Sequence, residues 1–157
     1  MKNVVFYGFA VVAISLLVWI TFRAKNINET HNRIIFTKNA PSPIGPYSQA
    51  VLKGNALFIS GQIAIDPSTG NMDTSDIVVE TKRVMRNLEA IVSETGMNMS
   101  DVTKVTIYLT DLKQFKSVNE VYGSFFTNGV YPARETVEVK SLPKGAHVEI
   151  SATVIHQ

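Results

Sequence analysis

The sequence predicts an α+β domain in which two helices lie on one face of a mixed β-sheet. Two segments repeat apolar residues at a spacing of about 3.6, which is typical of amphipathic helices. Several shorter segments alternate apolar and polar residues, as strands with one buried face do. Gly, Pro, Asn and Asp separate these segments, and the resulting order is strand, strand, strand, helix, strand, helix, strand, strand.

Three predicted strands precede the first helix. Residues 34–37 form a short apolar run that suits an edge strand, and residues 40–47 (APSPIGPY) predict an ordered loop because Pro interrupts them three times. Ala50–Lys53 and Ala56–Gln62 flank Gly54-Asn55, and this two-residue turn sequence predicts a β-hairpin.

The helices alternate with the later strands. Residues 77–95 and residues 112–128 carry the two apolar stripes, and a Gly that favours helix termination follows each of them. Strands are predicted at residues 102–110, 134–139 and 148–155, because apolar and polar residues alternate there. Since each helix has a single apolar stripe, each is expected to cover the sheet with one side only.

Composition excludes several kinds of functional site. The length of 157 residues suits one domain with an appendage. Residues 31–157 contain 12 basic and 12 acidic residues, so this part has no net charge with which to attract nucleic acid. The absence of Cys excludes disulfides, thiol nucleophiles and thiolate metal sites. The three His are far apart in the sequence, so we predict no metal site.

The amino terminus differs from the rest of the chain. Residues 4–22 are uncharged over nineteen positions, about the length that spans a bilayer core. We expect residues 1–25 to be a hydrophobic membrane anchor or a signal segment, residues 26–33 a polar linker, and residues 34–157 the folded domain. Basic residues after the apolar run favour a cytoplasmic domain on an uncleaved anchor. A periplasmic or otherwise exported domain, or a soluble cytosolic protein, is the alternative.

Strand alternation also groups polar side chains. In the strand at 134–139, Arg134 alternates with Val137 and so falls on the polar row, and Glu149 falls on the polar row of the last strand. Ser60 belongs to the polar row of the second hairpin strand. We expect these three side chains to converge on the helix-free face. They could form a solvated sheet surface, or a site that binds a small anion and carries an acid or base.

The motifs of this domain resemble those of the RidA, or YjgF, family of reactive-intermediate deaminases. The matching stretches run from about residue 35 to residue 154 and read APSPIGPYSQAV, ALFISGQIAIDPSTG, TKVTIYLTDLKQFKSVNEVYGSFF and YPARETVEVKSLPKGAHVEISATV. The resemblance implies a chorismate-mutase-like α+β fold and a homotrimer with sites in clefts between subunits. It also implies hydrolysis of 2-imino and 2-enamino acids, such as 2-iminobutanoate and 2-iminopropanoate, to 2-oxo acids and ammonia, without a metal or organic cofactor.

The resemblance assigns roles to particular residues. Arg134 would pair with the substrate carboxylate, for which its planar guanidinium is suited. Glu149 would orient or activate the attacking water and carry the proton that the leaving ammonia needs. The remaining positions would hydrogen-bond the substrate or the water: Tyr47, Ser60, Gly61 and Asn119. Tyr47 could instead only hold its loop, and Asn119 could be a helix-surface residue.

Two positions depart from the family pattern. Thr136 stands where deaminating members commonly have Cys, and Glu135 stands where a small polar residue is frequent. Because the implied chemistry uses no thiolate, we expect activity to survive. A non-catalytic trimer that binds small carboxylates, with a regulatory or chaperone-like role, is the alternative function. The zero charge of the domain argues against a nuclease.

Overall fold

The computed structural model describes residues 14–19, 31–127 and 129–156. The chain divides into two units, residues 1–32 and residues 33–157. Within residues 33–127 and 129–156, the second unit contains a single β-sheet with two α-helices.

The apolar amino-terminal segment is described only in part. Its residues 14–19 are helical and exposed, and the rest of residues 4–22 lies outside the described residues. Across the ranges that the structure describes, no helix is both long enough and apolar enough to cross a membrane. The anchor and the divisions at residues 1–25 and 26–33 therefore stay predictions.

Six strands form one mixed sheet in the spatial order β1-β2-β3-β6-β4-β5. The strands are β1 (Arg33–Ile35), β2 (Ala50–Lys53), β3 (Ala56–Gln62), β4 (Val102–Leu109), β5 (Ala133–Glu138) and β6 (Val148–Ile155). Strands β4 and β5 pair in parallel, and the other neighbours pair antiparallel. The helices are α1 (Ile77–Glu94) and α2 (Phe115–Gly123). The predicted α+β class, with a mixed sheet and two helices, is confirmed.

Helix α1 forms where the apolar spacing predicts it. The Asp76 carboxylate caps its first turn by accepting hydrogen bonds from the N–H groups of Val78 and Val79 at 2.8 and 2.9 Å. The chain leaves the helix at Gly96, which has a φ of 79° that suits Gly. The buried stripe of α1 packs on β3 and β6 and contains Val84, Met85, Leu88, Ile91 and Val92.

Helix α2 is shorter than the predicted 112–128. A 3-10 turn at Leu112–Gln114 precedes it, and the α-helix ends at Gly123. The Ser124 hydroxyl donates to the Val121 carbonyl at 2.6 Å, and the next N–H groups bond three residues back rather than four. This tightening ends the α-helix earlier than the apolar spacing alone indicates, because local polar groups satisfy its last carbonyls.

The two faces of the sheet differ in their surroundings. The face under the helices carries the core, and its residues of 0 or 1% exposure include Leu57, Ile107 and Val148. On the opposite face the side chains of Phe58 and Val137 are 50 and 45% exposed. In one chain, the open face of the sheet therefore exposes apolar as well as polar side chains.

The buried side-chain amides of Gln49 and Asn87 hold two loops in place, one before β2 and one after β3. The Gln49 side chain is 2% exposed, accepts a hydrogen bond from the Thr37 N–H and donates to the Pro41 carbonyl at 2.8 Å. The Asn87 side chain lies in the buried stripe of α1 and donates to the Ile63 carbonyl at 3.1 Å. Because buried polar groups need partners, these two side chains hold both loops in one arrangement.

Candidate functional site

The register of β5 overturns one expectation from strand alternation. Arg134 pairs with Val105 of β4, and Val105 is buried beneath the helices. Side chains of directly paired residues point to the same face of a sheet, so Arg134 lies on the helix side. Glu149 pairs with Tyr108 and lies on the open side. The expected convergence of Arg134 with Ser60 and Glu149 within one chain is therefore wrong.

The error has a physical cause in the position of β5. Alternation shows which residues of a strand share a row, and that part holds, because Arg134 and Thr136 face the same side. Which row faces the helices depends on the register with β4. At the edge of the sheet the helices cover β5 incompletely, so Arg134 stays exposed while it faces the helix side.

Arg134 lines a cleft of about 590 Å³ beside helix α2. We call it the arginine cleft; it is lined by Asn119, Glu120, Tyr122, Gly123, Tyr131, Pro132 and Arg134. The Arg134 Nη1 donates to the Asn119 Oδ1 at 2.6 Å. The guanidinium carbon also lies 5.5 and 5.0 Å from the ring centroids of Phe115 and Tyr122. Helix α2 thus orients the guanidinium by one hydrogen bond and two cation–π contacts.

Tyr122 forms the base of the arginine cleft. Its side chain is 3% exposed, and its hydroxyl has no hydrogen-bond partner among the described residues. Burial raises the pKa of Tyr122 to about 12, while the charge of Arg134 acts in the opposite direction. Tyr122 is therefore a neutral phenol at physiological pH, and its ring supports Arg134. The apolar spacing of the sequence predicts Tyr122 only as part of a helical stripe and gives it no role in the site.

Glu149 lines a second cleft, of about 280 Å³, at the end of the hairpin β2–β3. We call it the glutamate cleft; it is lined by Ile44, Tyr47, Ser60, Gly61, Ile63, Pro143 and Glu149. The structure therefore brings together four of the six predicted site residues here, and it places the other two, Asn119 and Arg134, in the arginine cleft.

A β-bulge seats Glu149 over the backbone of β3. The pairing of β3 with β6 shifts between Ile59 and Gln62, so Gln62 returns to the buried face instead of alternating to the open one as the sequence suggested. Gly61 lies within the bulge. A Cβ on Gly61 would overlap the Glu149 carboxylate and lie 2.7 Å from its Cδ. Only Gly leaves room for the carboxylate at this position.

Burial raises the pKa of the Glu149 carboxyl above its ordinary value. Glu149 is half-buried, and within residues 31–127 and 129–156 no hydrogen bond or ion pair involves its carboxylate. A carboxyl with a raised pKa changes its protonation state closer to neutral pH, which suits proton transfer.

Tyr47 and Ser60 have local partners that limit their possible roles. The Tyr47 hydroxyl accepts a hydrogen bond from the Ile44 N–H at 3.2 Å, so it does hold its own loop. Its side chain is 46% exposed, and its hydroxyl proton is available to a ligand. The Ser60 hydroxyl donates to the Ser48 carbonyl at 2.7 Å. Towards a ligand, Ser60 is therefore an acceptor.

Three apolar residues of the glutamate cleft were missed from the sequence: Ile44, Ile63 and Pro143. They come from three separate loops, and nothing in their local pattern shows that these loops meet. A partial signal existed in Asn87, a polar residue within the buried stripe of α1, which holds the loop that carries Ile63.

The two positions that depart from the family pattern lie on opposite faces. The Thr136 hydroxyl is buried and has no hydrogen-bond partner among the described residues. Glu135 lies on the open face, where its carboxylate is 3.1 Å from the Lys104 Nζ and accepts from the Thr106 hydroxyl at 3.0 Å. These two hydrogen bonds lower the pKa of the Glu135 carboxyl. No group of three or more His, Asp or Glu suited to a metal ion occurs in the described part of the chain.

Comparisons with known proteins place this architecture in a family. Residues 37–156 match the family described as Endoribonuclease L-PSP. A RutC family protein from Pyrococcus abyssi is 51% identical over 119 residues, which are 76% of this chain and 93% of that protein. The human 2-iminobutanoate/2-iminopropanoate deaminase is 42% identical over 123 residues, or 78% of this chain and 89% of the human one. The crystal structure of E. coli TdcF with bound serine has a TM-score of 0.77 at 39% identity, covering 80% of this chain and 99% of TdcF.

We expect Gly61→Ala to displace Glu149 from its seat, because the new methyl group would occupy the position of the carboxylate. A crystal structure of the variant should show the Glu149 side chain in another rotamer. Gly123→Ala is the matched control, since its Cβ would lie 4.0 Å from the nearest atoms, which belong to Tyr131. An unchanged Glu149 rotamer in Gly61→Ala would contradict the assigned contact.

The free energy of unfolding should depend on pH through Glu149. Its pKa is raised in the folded protein, so the folded state holds the proton more tightly than the unfolded state. This contribution to the free energy of unfolding is fully present below the unfolded pKa of about 4.3 and is lost as pH rises through the folded pKa. We therefore expect Glu149→Gln to raise the melting temperature, relative to wild type, more at pH 7 than at pH 4.

Glu135→Gln provides a control of opposite sign. The pKa of Glu135 is lowered, so its contribution is present above the unfolded pKa and is lost as pH falls. This variant should lose stability relative to wild type at pH 7 and less at pH 4. Thermal melts of Glu149→Gln and Glu135→Gln at pH 4 and pH 7 test both predictions. Melting-temperature shifts of the same sign in the two variants at pH 7 would refute the opposite pKa directions assigned to Glu149 and Glu135.

Proposed function

The chain belongs to the endoribonuclease L-PSP family, and we propose that it hydrolyses reactive 2-imino and 2-enamino acids to 2-oxo acids and ammonia. The observation that carries this proposal is Glu149, a carboxylate of raised pKa seated over Gly61 in a small cleft. The complementary cation is the exposed Arg134, which lies in the other cleft of the chain. The relatives named above include a 2-iminobutanoate/2-iminopropanoate deaminase and a protein with a bound amino acid.

We propose further that the working site joins the arginine cleft of one subunit to the glutamate cleft of the next, in a homotrimer. The arginine cleft would supply the cation for the substrate carboxylate, and the glutamate cleft would supply the group for proton transfer. The open face of the sheet exposes Phe58 and Val137, which an adjoining subunit would cover. Cyclic assembly repeats one such junction between every pair of neighbours.

Arg134 would fix the substrate through its carboxylate. A guanidinium presents two parallel N–H groups that match the two oxygens of a carboxylate. The contacts with Asn119, Phe115 and Tyr122 hold the guanidinium plane before a ligand arrives, which reduces the entropy lost on binding. The substrate carbon would then lie at a defined distance from the neighbouring subunit's Glu149.

Glu149 would move the protons of the hydrolysis. As a carboxylate it takes one proton from the attacking water, whose oxygen forms a bond to the C=N carbon. The resulting carboxylic acid passes that proton to the nitrogen, which gives a carbinolamine. The carboxylate then carries the proton of the new hydroxyl group to the same nitrogen, the C–N bond breaks as the C=O double bond forms, and NH₃ leaves. A raised pKa lets the same group accept and donate near neutral pH. Tyr47 and Ser60 would hydrogen-bond the water or the substrate nitrogen.

The description of the family names an endoribonuclease. For an RNA substrate this domain offers no net positive charge, since residues 31–157 carry equal numbers of basic and acidic side chains. The glutamate cleft, at about 280 Å³, has the size for a small acid. A small imino acid therefore suits the site better than a polynucleotide.

The activity is tested with 2-iminobutanoate made by threonine dehydratase and intercepted with semicarbazide. The wild type should lower the rate of semicarbazone formation. Arg134→Ala should reduce kcat/KM by about 100-fold or more, because carboxylate binding is lost. Glu149→Gln should lower kcat by about 100-fold or more, because no group moves the protons. The exposed residues Arg86 and Glu89 of α1 supply the controls Arg86→Ala and Glu89→Gln, which should keep full activity.

Mixing the two inactive variants tests the shared site. If Arg134 and Glu149 act across a subunit junction, each mixed trimer of Arg134→Ala and Glu149→Gln chains has one intact site. Refolding equal amounts together should then restore about a quarter of wild-type activity. A mixture that stays inactive would refute the junction, and a wild type that leaves semicarbazone formation unchanged would refute the deaminase itself. Carboxylate binding without turnover would favour the regulatory alternative.

We also propose that residues 1–25 tether or export the domain, with a retained anchor as the preferred form. The support is the uncharged run at residues 4–22. In cell fractionation, the full chain should sediment with membranes and resist extraction by alkaline carbonate, whereas a chain starting at residue 31 should not sediment. Release of the full chain by carbonate would contradict an anchor, and a shortened amino terminus found by mass spectrometry would indicate a cleaved signal segment.

A further inference from the structure

A buried carboxylate outside both clefts supports the start of β6. Glu80 is 0% exposed and lies in the first turn of helix α1. Its Oε1 accepts hydrogen bonds from the backbone N–H groups of His147 at 2.7 Å and Val148 at 3.3 Å. Its Oε2 lies 2.9 Å from the His147 Nδ1. One side chain of α1 thus contacts two successive residues that lie more than sixty positions away.

The helix itself does not need Glu80. Asp76 already caps the first turn, and the Glu80 N–H bonds to the Asp76 carbonyl as in any helix. Burying a carboxylate costs free energy that an apolar side chain at this position would avoid. The cost is offset only where the carboxylate is fully paired, and here its three contacts all go to His147 and Val148. The interaction therefore serves β6.

The segment that Glu80 holds leads directly into the glutamate cleft. On the side of β4, the Thr110 N–H donates to the His147 carbonyl at 3.1 Å, so the backbone is bonded from both sides. Val148 is fully buried, and the next residue is Glu149. Because Glu149 lies against the backbone of Gly61, a small shift of β6 would move its carboxylate out of its seat or into the bulge.

We propose that Glu80 is a positioning residue that, through His147 and Val148, sets where the Glu149 carboxylate lies. It touches neither cleft, so it acts only through the backbone of β6. This inference rests on the proposed function for its kinetic effect, whereas its effect on Glu149 itself stands apart from any activity.

The test uses three substitutions of Glu80 in the full chain. Glu80→Leu removes all three contacts, and we expect kcat for 2-iminobutanoate to fall about 10- to 100-fold, since misplacement of a reacting group by about 1 Å costs this much. KM should change less than about twofold, because carboxylate binding belongs to the arginine cleft. Glu80→Gln should keep nearly wild-type kcat, because its amide oxygen can accept from both backbone N–H groups and its NH₂ can face an unprotonated Nδ1.

Glu80→Asp covers the outcome in which Glu80→Leu does not fold. It keeps the charge but withdraws the carboxylate by one methylene, so kcat should fall while the protein folds. Thr81→Val is the matched control: this neighbour on α1 is also 0% exposed, and its hydroxyl bonds only within the helix, to the Ile77 carbonyl. It should leave kcat unchanged even if it lowers the melting temperature. Loss of kcat in Thr81→Val to the same degree would overturn a specific role for Glu80.

A second readout needs no turnover. The pKa of Glu149 can be followed by carbon-13 NMR of its carboxyl carbon, assigned with Glu149→Gln. In Glu80→Leu and Glu80→Asp, displacement of the Glu149 carboxylate into solvent should lower its pKa towards the ordinary value. Glu80→Gln should leave the pKa of Glu149 unchanged. If the wild type lacks deaminase activity, the proposed function fails and this titration still decides the inference. Folded Glu80→Leu or Glu80→Asp with an unchanged Glu149 titration would overturn it.

Discussion

The approach of the Glu149 carboxylate to the backbone of Gly61 is the contact on which the rest of the site depends. It requires a residue without a Cβ, a bulge that turns this backbone towards the open face, and a last strand held in a single register. Burial at that position raises the pKa of the carboxyl, so one steric arrangement produces both the place and the chemical character of the group. A carboxylate elsewhere on the open face would be better solvated and less suited to proton transfer.

The cation that would complete the chemistry lies on the other side of the sheet. Arg134 is on an edge strand, and its row faces the helices because the register of β5 pairs Arg134 with Val105 of β4. Helix α2 meets the guanidinium through Asn119, Phe115 and Tyr122, which leaves it exposed and oriented. Within one chain the cation and the carboxylate are therefore parts of separate clefts. The site between subunits that we propose would reconcile this separation with deaminase chemistry, and the adjoining subunit would cover the exposed apolar residues of the open face.

Buried polar side chains connect the core to these clefts. Gln49 and Asn87 hold the loops that contribute walls to the glutamate cleft, and Glu80 holds the start of β6. Each of them gives up hydration that only a full set of hydrogen bonds offsets, so each specifies a single arrangement of the segment that it bonds. A purely apolar core could stabilise the sheet equally well, but it would not specify the positions of these loops so closely.

The sequence by itself determined the fold class, most strand bounds, helix α1 and the family, because hydrophobic periodicity and local turn motifs are written in consecutive residues. Its motifs also pointed to the candidates Glu149, Gly61, Ser60 and Tyr47, which line one cleft, and to Arg134 and Asn119, which line another. Only the tertiary structure decided which face Arg134 occupies, where the bulge in β3 redirects the chain, and that Glu80 bonds to His147. The first two features depend on the register between strands, and the third depends on how helix α1 packs against β6. Alternation within a single strand contains no information about either.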